Sequence, residues 1–398
     1  MALIISGLGV TSAVGQGKDA FAAALMEGRH AFSVMVRPGR QRQTSFLGAE
    51  IASLQLPASI PSRAVRTASF SAQAALATLS EAWHDARLDA IDPARIGLFV
   101  GGTNLQQREL VQTHEAYGER LDFLRPSYGM AFLDTDVCGL CSEVFGIRGF
   151  AYTVGGASAS GHVAVLQALQ AVQSGAVDVC IAVGALMDLS YFECQGLRAL
   201  GAMGSDRFAG DPACACRPFD EARDGFIFGE CCGAVVVERA GARDVDPYAV
   251  VSGWATVMDT NRNPDPSLDG EIAVIEKALA GAGWRAADVD YVNPHGSGSV
   301  IGDETELRAL AACGLGHARI NATKSIVGHG LSAAGTVEIA ATLLQMKAAR
   351  LHPTRNLDRP IADAAWVRET AEPHAMQHAL NLSLGFGGIN TAICLSKS

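Results

Sequence analysis

Apolar positions along the chain switch repeatedly between an extended run and a helical spacing, which is the pattern of alternating strands and helices. Phe150 to Val154 reads as a strand. It runs into Gly155-Gly156-Ala157-Ser158-Ala159-Ser160-Gly161, after which Val165, Leu166, Leu169 and Val172 recur at helical spacing. The unit is a strand, an elbow and a helix. Ala176 to Val183 is the next expected strand. Further on, a strand from Val289 ends near His295 in a glycine and serine loop, and Asp303 with Glu306 forms a capping-box signature opening a helix. Another helix is expected from near Ser332, carrying Glu338, and a last strand over Thr391 to Leu395. The alternation predicts an α/β fold.

Small residues at the 155–161 elbow let the chain turn sharply. A side chain at the start of the following helix meets unpaired backbone N–H groups and the positive end of the helix dipole, a setting that suits a nucleophile or an oxyanion. Ser158 and Ser160 also fit an ordinary N-cap. Three more segments carry candidate chemistry. His295 lies in Asn293-Pro294-His295-Gly296-Ser297-Gly298-Ser299, at the end of a strand. Lys324 and His329 lie in Asn321-Ala322-Thr323-Lys324-Ser325-Ile326-Val327-Gly328-His329-Gly330, with Glu338 on the helix that follows. Leu384-Gly385-Phe386-Gly387-Gly388-Ile389-Asn390 is a glycine hinge around one aromatic ring.

The order and spacing of these segments resemble the β-ketoacyl synthase family of the thiolase superfamily. Ile4 to Gly15 is similar to the family's N-terminal strand and turn. Arg217-Pro218-Phe219-Asp220-Glu221-Ala222-Arg223-Asp224-Gly225-Phe226, followed by Gly229-Glu230, matches its R-P-F-D-x-x-R-D-G-F motif. The His295 segment resembles its N-A-H-G-T-S-T stretch, and Lys324 to His329 its lysine and second-histidine loop. The resemblance implies a thiolase-like fold: two similar halves in five layers, α-β-α-β-α, with residues 1–240 carrying Ser158 and residues 241–398 carrying His295, Lys324 and His329. No sequence repeat between the halves is evident. The resemblance further implies that His295 and His329 bind the thioester carbonyl of a malonyl group. Lys324 would pair with Glu338 and help set the histidines' charge. Phe386 would be the gate, with Gly387 beside it, its backbone N–H joining that of residue 158 in an oxyanion hole. Phe226 would wall the carboxylate that is lost.

The elbow departs from the family. Where members read T-A-C-S-S or similar, this chain has Ser158 in the cysteine position. A thiol near pKa 8.5 is readily pushed to thiolate, whereas a serine needs a general base within reach. Forming an acyl-enzyme, the first half of condensation, should therefore fail. Loss of CO2 needs only a stabilised enolate, which two imidazole donors supply. With no acyl chain on residue 158 the enolate is protonated instead, giving an acetyl thioester. Ser158 with both histidines retained resembles the serine-type homologues that decarboxylate malonyl-acyl-carrier-protein in polyketide assembly, supplying acetyl units for β-branching. Other readings of the same residues stay open: a serine-dependent acyltransferase with a free base such as His162, a non-catalytic partner subunit, and an engineered Cys→Ser change. Gly155-Gly156 argues against the last, since a single change leaves an ordinary elbow around it. His162, four residues into the helix, is expected to point away.

Composition narrows the partners. Residues are 49% hydrophobic and 18% charged, as in a globular chain, and the net charge of −10 argues against nucleic acid. A carrier protein would need only a local basic patch, for which Arg37, Arg40, Arg42, Arg63 and Arg66 are candidates. No carrier segment follows Ser398, so the substrate is expected on the phosphopantetheine of a separate protein. The start lacks a signal-peptide pattern and no apolar run is long enough for a membrane helix, so cytoplasm is the expected compartment. Ten cysteines read as free thiols, and neither Cys138-Gly139-Leu140-Cys141 nor the cluster of Cys214, Cys216, Cys231 and Cys232 has the partners of a zinc site. No P-loop is present, and no metal or other cofactor is implied. The resemblance implies a homodimer, with the elbow strand near its two-fold axis.

Overall fold

The computed structural model describes residues 2–398. Its first half contributes five main strands to the large sheet: β1 (Leu3–Ser12), β2 (Ile96–Gly101), β3 (Phe150–Val154), β4 (Val179–Gly184) and β5 (Cys231–Arg239). They lie in the order β1-β5-β4-β2-β3. The first two contacts are antiparallel and the last two parallel. The second half builds β6 (Ala249–Met258), β7 (Tyr291–Asn293), β8 (Arg319–Ile320), β9 (His378–Gly385) and β10 (Ile389–Ser396). Its order is β6-β10-β9-β7-β8, with the same sequence of antiparallel and parallel contacts, and the two-residue strand Ala365–Trp366 extends it beyond β8. Each half is therefore the other's topological copy. A short antiparallel contact, Leu3–Ile5 against Ala249–Val251, joins them into one hydrogen-bonded system.

The helices repeat as well. In the first half α1 (Phe70–Asp85) and α2 (Thr135–Phe145) cover the outer face, and α3 (Ser160–Ser174) the inner one. Then α4 (Leu268–Ala282) and α5 (Val300–Ala312) cover the outer face of the second half, while α6 (Ala334–Ala348) packs with α3 between the sheets. The layering is the α-β-α-β-α arrangement that the family resemblance implies. Three apolar clusters match it, one in the middle around Leu166, Val337 and Ile339, and one under each outer helix layer. α6 is buried on almost every side, as its apolar composition all round requires.

Two glycines set the centre of the molecule. A Cβ at Gly161 would stand 2.9 Å from Thr336 N, and one at Gly335 would stand 2.7 Å from the His162 ring, so α3 and α6 can cross only because both are glycine. Each helix is preceded by a short 3₁₀ turn, Ala157–Ala159 and Leu331–Ala333. Each turn begins with a non-glycine residue at positive φ, Ala157 at 47° and Leu331 at 51°. Such residues carry a cost of about 1–3 kcal/mol, which surrounding packing must offset. The two elbows face the same space from opposite halves.

Some expectations shift. Helix α5 begins after Ser299, whose hydroxyl accepts from Gly302 N, so Asp303 and Glu306 lie inside the helix and cap nothing there. His162 is buried in the interior between Asn381 and Thr391, off the cavity, as its helical position indicates. The arginine cluster is split. Arg40 is fully buried against Asp188 and Glu230 and cannot form part of a surface patch, and Arg37, half-buried, has its charge paired with Glu230. Arg42, Arg63 and Arg66 remain exposed. No helix among the described residues is long and apolar enough to cross a membrane.

Candidate active site

Ser158, Phe226, His295, His329 and Phe386 meet at one cavity of about 310 Å³, together with Thr103, Leu331, Leu384 and Glu271. The first half supplies Ser158 on its 3₁₀ turn. The second supplies both histidines and the hinge. A Cβ at Gly101 would stand 2.3 Å from Ser160 O, so the strand beneath the elbow must be glycine for Ser158 to come this close to the sheet. The Ser160 hydroxyl accepts from Gly156 N at 2.9 Å and donates to Ala157 O at 2.7 Å, holding the turn shut. Ser160, the first residue of α3, thus braces the turn without capping the helix, and Ser158 lines the cavity.

The imidazoles of His295 and His329 stand edge to face, with ring centroids 5.3 Å apart. Phe226 lies edge-on to His329 at 5.1 Å. His329 Nδ1 accepts from Leu331 N at 3.3 Å, and His295 Nδ1 accepts from Leu384 N at 3.4 Å. An imidazole that accepts at Nδ1 and is neutral carries its proton on Nε2. Both are neutral: burial first, then the Lys324 charge, pushes each well below the ordinary histidine range. The pair therefore offers two N–H donors and no base. No hydrogen bond among the described residues links the Ser158 hydroxyl to an acceptor that would activate it.

Lys324 and Glu338 do not line the cavity. The Lys324 ammonium sits behind His295, bonded to the His295 carbonyl and, at 2.5 Å, to Glu338 Oε1. Both are almost fully buried, and Glu338 is pushed up to about 7 by burial against the opposing effect of Lys324. The His295 loop is held from the other side by α5. Glu306 accepts from His295 N at 2.6 Å and from Gly296 N at 2.8 Å, and Asp303 accepts from Phe219 N and Gly298 N. This is the work of the two carboxylates expected as a capping box. Beneath the loop, Tyr291, Asn293, Asn321, Thr323, Gln345 and His352 form a buried polar network that the sequence did not single out. Asn293, Asn321 and Thr323 stand at the heads of the two histidine segments, while Gln345 and His352 reach the network from elsewhere in the chain.

The 384–390 hinge closes the cavity mouth. Phe386 is 42% exposed at the lip. Gly387, at φ +90°, is exposed at the tip and does not line the cavity, so its part is to let the backbone turn. Gly388 O accepts from Asp259 N at 2.7 Å, and Asn390 donates to Asp259 Oδ1 at 2.6 Å, tying the hinge to the end of β6. Cys138 and Cys141 are buried thiols in the outer core, and no group of three or more ligating side chains among the described residues could hold a metal ion.

Residues 2–242 match the description Beta-ketoacyl synthase, N-terminal domain, and residues 248–358 match Beta-ketoacyl synthase, C-terminal domain. The chain is 59% identical to the polyketide biosynthesis malonyl-ACP decarboxylase PksF of Bacillus subtilis (strain 168), over 99% of this chain and 96% of that one. It is 32% identical to a putative polyketide beta-ketoacyl synthase 1 of Streptomyces cyaneus, over 98% and 97%. Its structure superposes on that of a beta-ketoacyl synthase from Burkholderia phymatum STM815 with a TM-score of 0.89 at 26% identity, covering 100% of this chain and 99% of that one.

Proposed function

The chain belongs to the β-ketoacyl synthase family, and on that premise we propose how its site works as a malonyl-acyl-carrier-protein decarboxylase of polyketide biosynthesis. The observation that carries the chemistry is the pair of neutral imidazoles, each with Nδ1 occupied by a backbone N–H, facing a cavity whose elbow holds serine. The malonyl thioester oxygen accepts from both Nε2–H groups. As the carbon–carbon bond to the carboxylate breaks, its electron pair moves into the thioester and charge develops on that oxygen. Donors already in place are strongest at that moment, because nothing must reorganise. Phe226 gives the departing carboxylate an apolar wall, which favours the neutral CO2 over the anion.

Ser158 is a bystander to bond breaking. Its hydroxyl has no base, since both Nε2 atoms bear protons, so no acyl-enzyme forms and the enolate is protonated to acetyl. Ser158 and Phe386 lie at the same cavity, where their backbone N–H groups would serve the oxyanion of an acyl-enzyme; with no acyl-enzyme formed, the malonyl thioester oxygen is left to the two imidazoles. Lys324 and Glu338 are positioning residues: the ammonium keeps the imidazoles neutral and fixes the His295 carbonyl. The reaction draws on no cofactor of the protein's own, the substrate being carried on phosphopantetheine. The acetyl carrier protein produced is suited to β-branching, in which it would feed a hydroxymethylglutaryl-synthase-like enzyme.

A homodimer in the cytoplasm completes this reading. β3 lies at the end of its sheet with one side unpaired, and Tyr152, 57% exposed, stacks on Phe150 along it. An apolar edge strand of this kind is an aggregation hazard unless covered. A second copy of the same edge covers it symmetrically.

The test is intact-protein mass spectrometry of malonyl-loaded carrier protein with the enzyme. Conversion of malonyl to acetyl on the carrier with the enzyme unmodified is expected. An acyl adduct on Ser158 would move the reading to a serine acyltransferase, and an unchanged malonyl carrier to a non-catalytic partner.

A further inference from the structure

Decarboxylation leaves a carbon that must gain a proton, and the machinery above supplies none. Neutral His295 and His329 spend their N–H groups on oxygen, Lys324 is enclosed by Glu338 and the His295 carbonyl, and the Ser158 hydroxyl is a weak acid. Three carboxyl groups line the cavity. Asp265 is exposed at the rim, and Asp259 is tied to Asn390. The third, Glu271, is only 2% exposed, and both of its carboxyl oxygens lack a hydrogen-bond partner.

Glu271 lies in the first turn of α4, where a helix N-terminus would ordinarily favour a carboxylate. The surroundings reverse that preference. Asp259 at the end of β6 is close enough that a Cβ on Gly270 would stand 1.7 Å from its Oδ1. From α5 come Glu306 and Asp303, and the Asn390 amide of β10 lies beside Gly270. No cation is among the groups that act on it. Burial first, then these three acids, pushes Glu271 up to about 9, so at neutral pH it is a carboxylic acid with a proton to give.

We propose that Glu271 is a further catalytic residue, the acid that protonates the enolate carbon to make the methyl group of the acetyl product. The inference rests on the decarboxylase reading. The enolate electron pair takes the proton from the Glu271 carboxyl to form the new C–H bond, and the carboxylate that remains recovers a proton from water when product leaves. Until that proton is delivered CO2 can recombine, so the residue governs turnover and not only the fate of the intermediate.

The experiment measures kcat and KM of the wild-type enzyme and of E271Q with malonyl-loaded carrier protein from pH 6 to 10. Gln has the shape of the neutral acid without its transferable proton. E271Q is expected to lower kcat about 10²-fold, the usual worth of a general acid, with KM within threefold. The wild-type rate is expected to fall as pH rises through about 9, and this fall to vanish in E271Q. A variant with the wild-type kcat, or a slow one that keeps the alkaline fall, overturns the assignment. If E271Q does not fold, a wild-type profile flat to pH 10 overturns it equally. A wild-type enzyme that releases no CO2 would instead sink the decarboxylase reading itself.

Discussion

Replacing His329 by alanine removes one of two donors from a site that has no substitute for it. The ring is 3% exposed, its Nδ1 is fixed by Leu331 N–H at 3.3 Å, and its edge and face rest against Phe226 and His295. A donor held this firmly contributes about 3–4 kcal/mol at the transition state, so kcat should fall about 10²–10³-fold. The same change strips Leu331 N–H of its acceptor, at a cost of about 1–3 kcal/mol to stability, and leaves a strained residue less well held. Thermal unfolding of the variant separates that loss from the catalytic one. Single-turnover conversion of malonyl to acetyl carrier protein, followed by intact mass with enzyme in excess over carrier, reads the chemical step without product release. Ser158→Ala in the same assay should stay within about tenfold of wild type, since the hydroxyl is not asked to react. A folded His329→Ala enzyme retaining a third of the wild-type rate would refute the two-donor argument, and a Ser158→Ala enzyme as slow as the histidine variant would give the serine a chemical role.

Lys324→Met should cost about 3–5 kcal/mol, because it leaves the Glu338 carboxyl buried without its partner; the chemical denaturation midpoint at pH 8 checks this, and the effect should shrink below pH 7 as Glu338 protonates. Removing that cation also relieves both imidazoles, so the acid limb of the rate profile should move to higher pH. E271Q should stabilise the protein by roughly 3 kcal/mol at pH 7, with the sign fixed by proton counting: the folded wild type holds a proton between about 4.5 and 9 that the unfolded chain has lost, so wild-type stability falls as pH rises through that range. Unfolding temperatures of the two proteins should therefore converge near pH 4. Tyr152→Asp, on the open edge of β3, should yield monomer by size-exclusion chromatography with light scattering, and an unchanged mass would place the dimer contact elsewhere.

Most residues that meet at the cavity were legible in the sequence. The serine in the elbow, the two histidine loops, the lysine and the glycine hinge are each local motifs, and local motifs survive reading because a turn, a cap or a strand end is set by neighbours in the chain. The sequence by itself also determined the alternation of strands and helices. Only the tertiary structure decided what depends on distance in space. The duplication of the halves escaped reading because topology is kept by burial pattern and backbone hydrogen bonding, which many side chains satisfy; what aligns is the positive φ of Ala157 and Leu331 and the five-residue elbow each opens, Ala157-Ser158-Ala159-Ser160-Gly161 against Leu331-Ser332-Ala333-Ala334-Gly335, a repeat too short to read as a duplication without the fold. Arg40 looked like surface until Asp188 and Glu230, from distant segments, enclosed its charge. Asp303 and Glu306 had the spacing of a cap and are instead the clamps of another loop, since a carboxylate binds whichever N–H groups the fold brings to it. Glu271 carries no motif at all. A glutamate near a helix start ordinarily reads as a solvated first-turn acid, and it became a buried acid only because the cavity, Asp259 and Glu306 converge on it, and desolvation is a property of the assembled surroundings rather than of the residue.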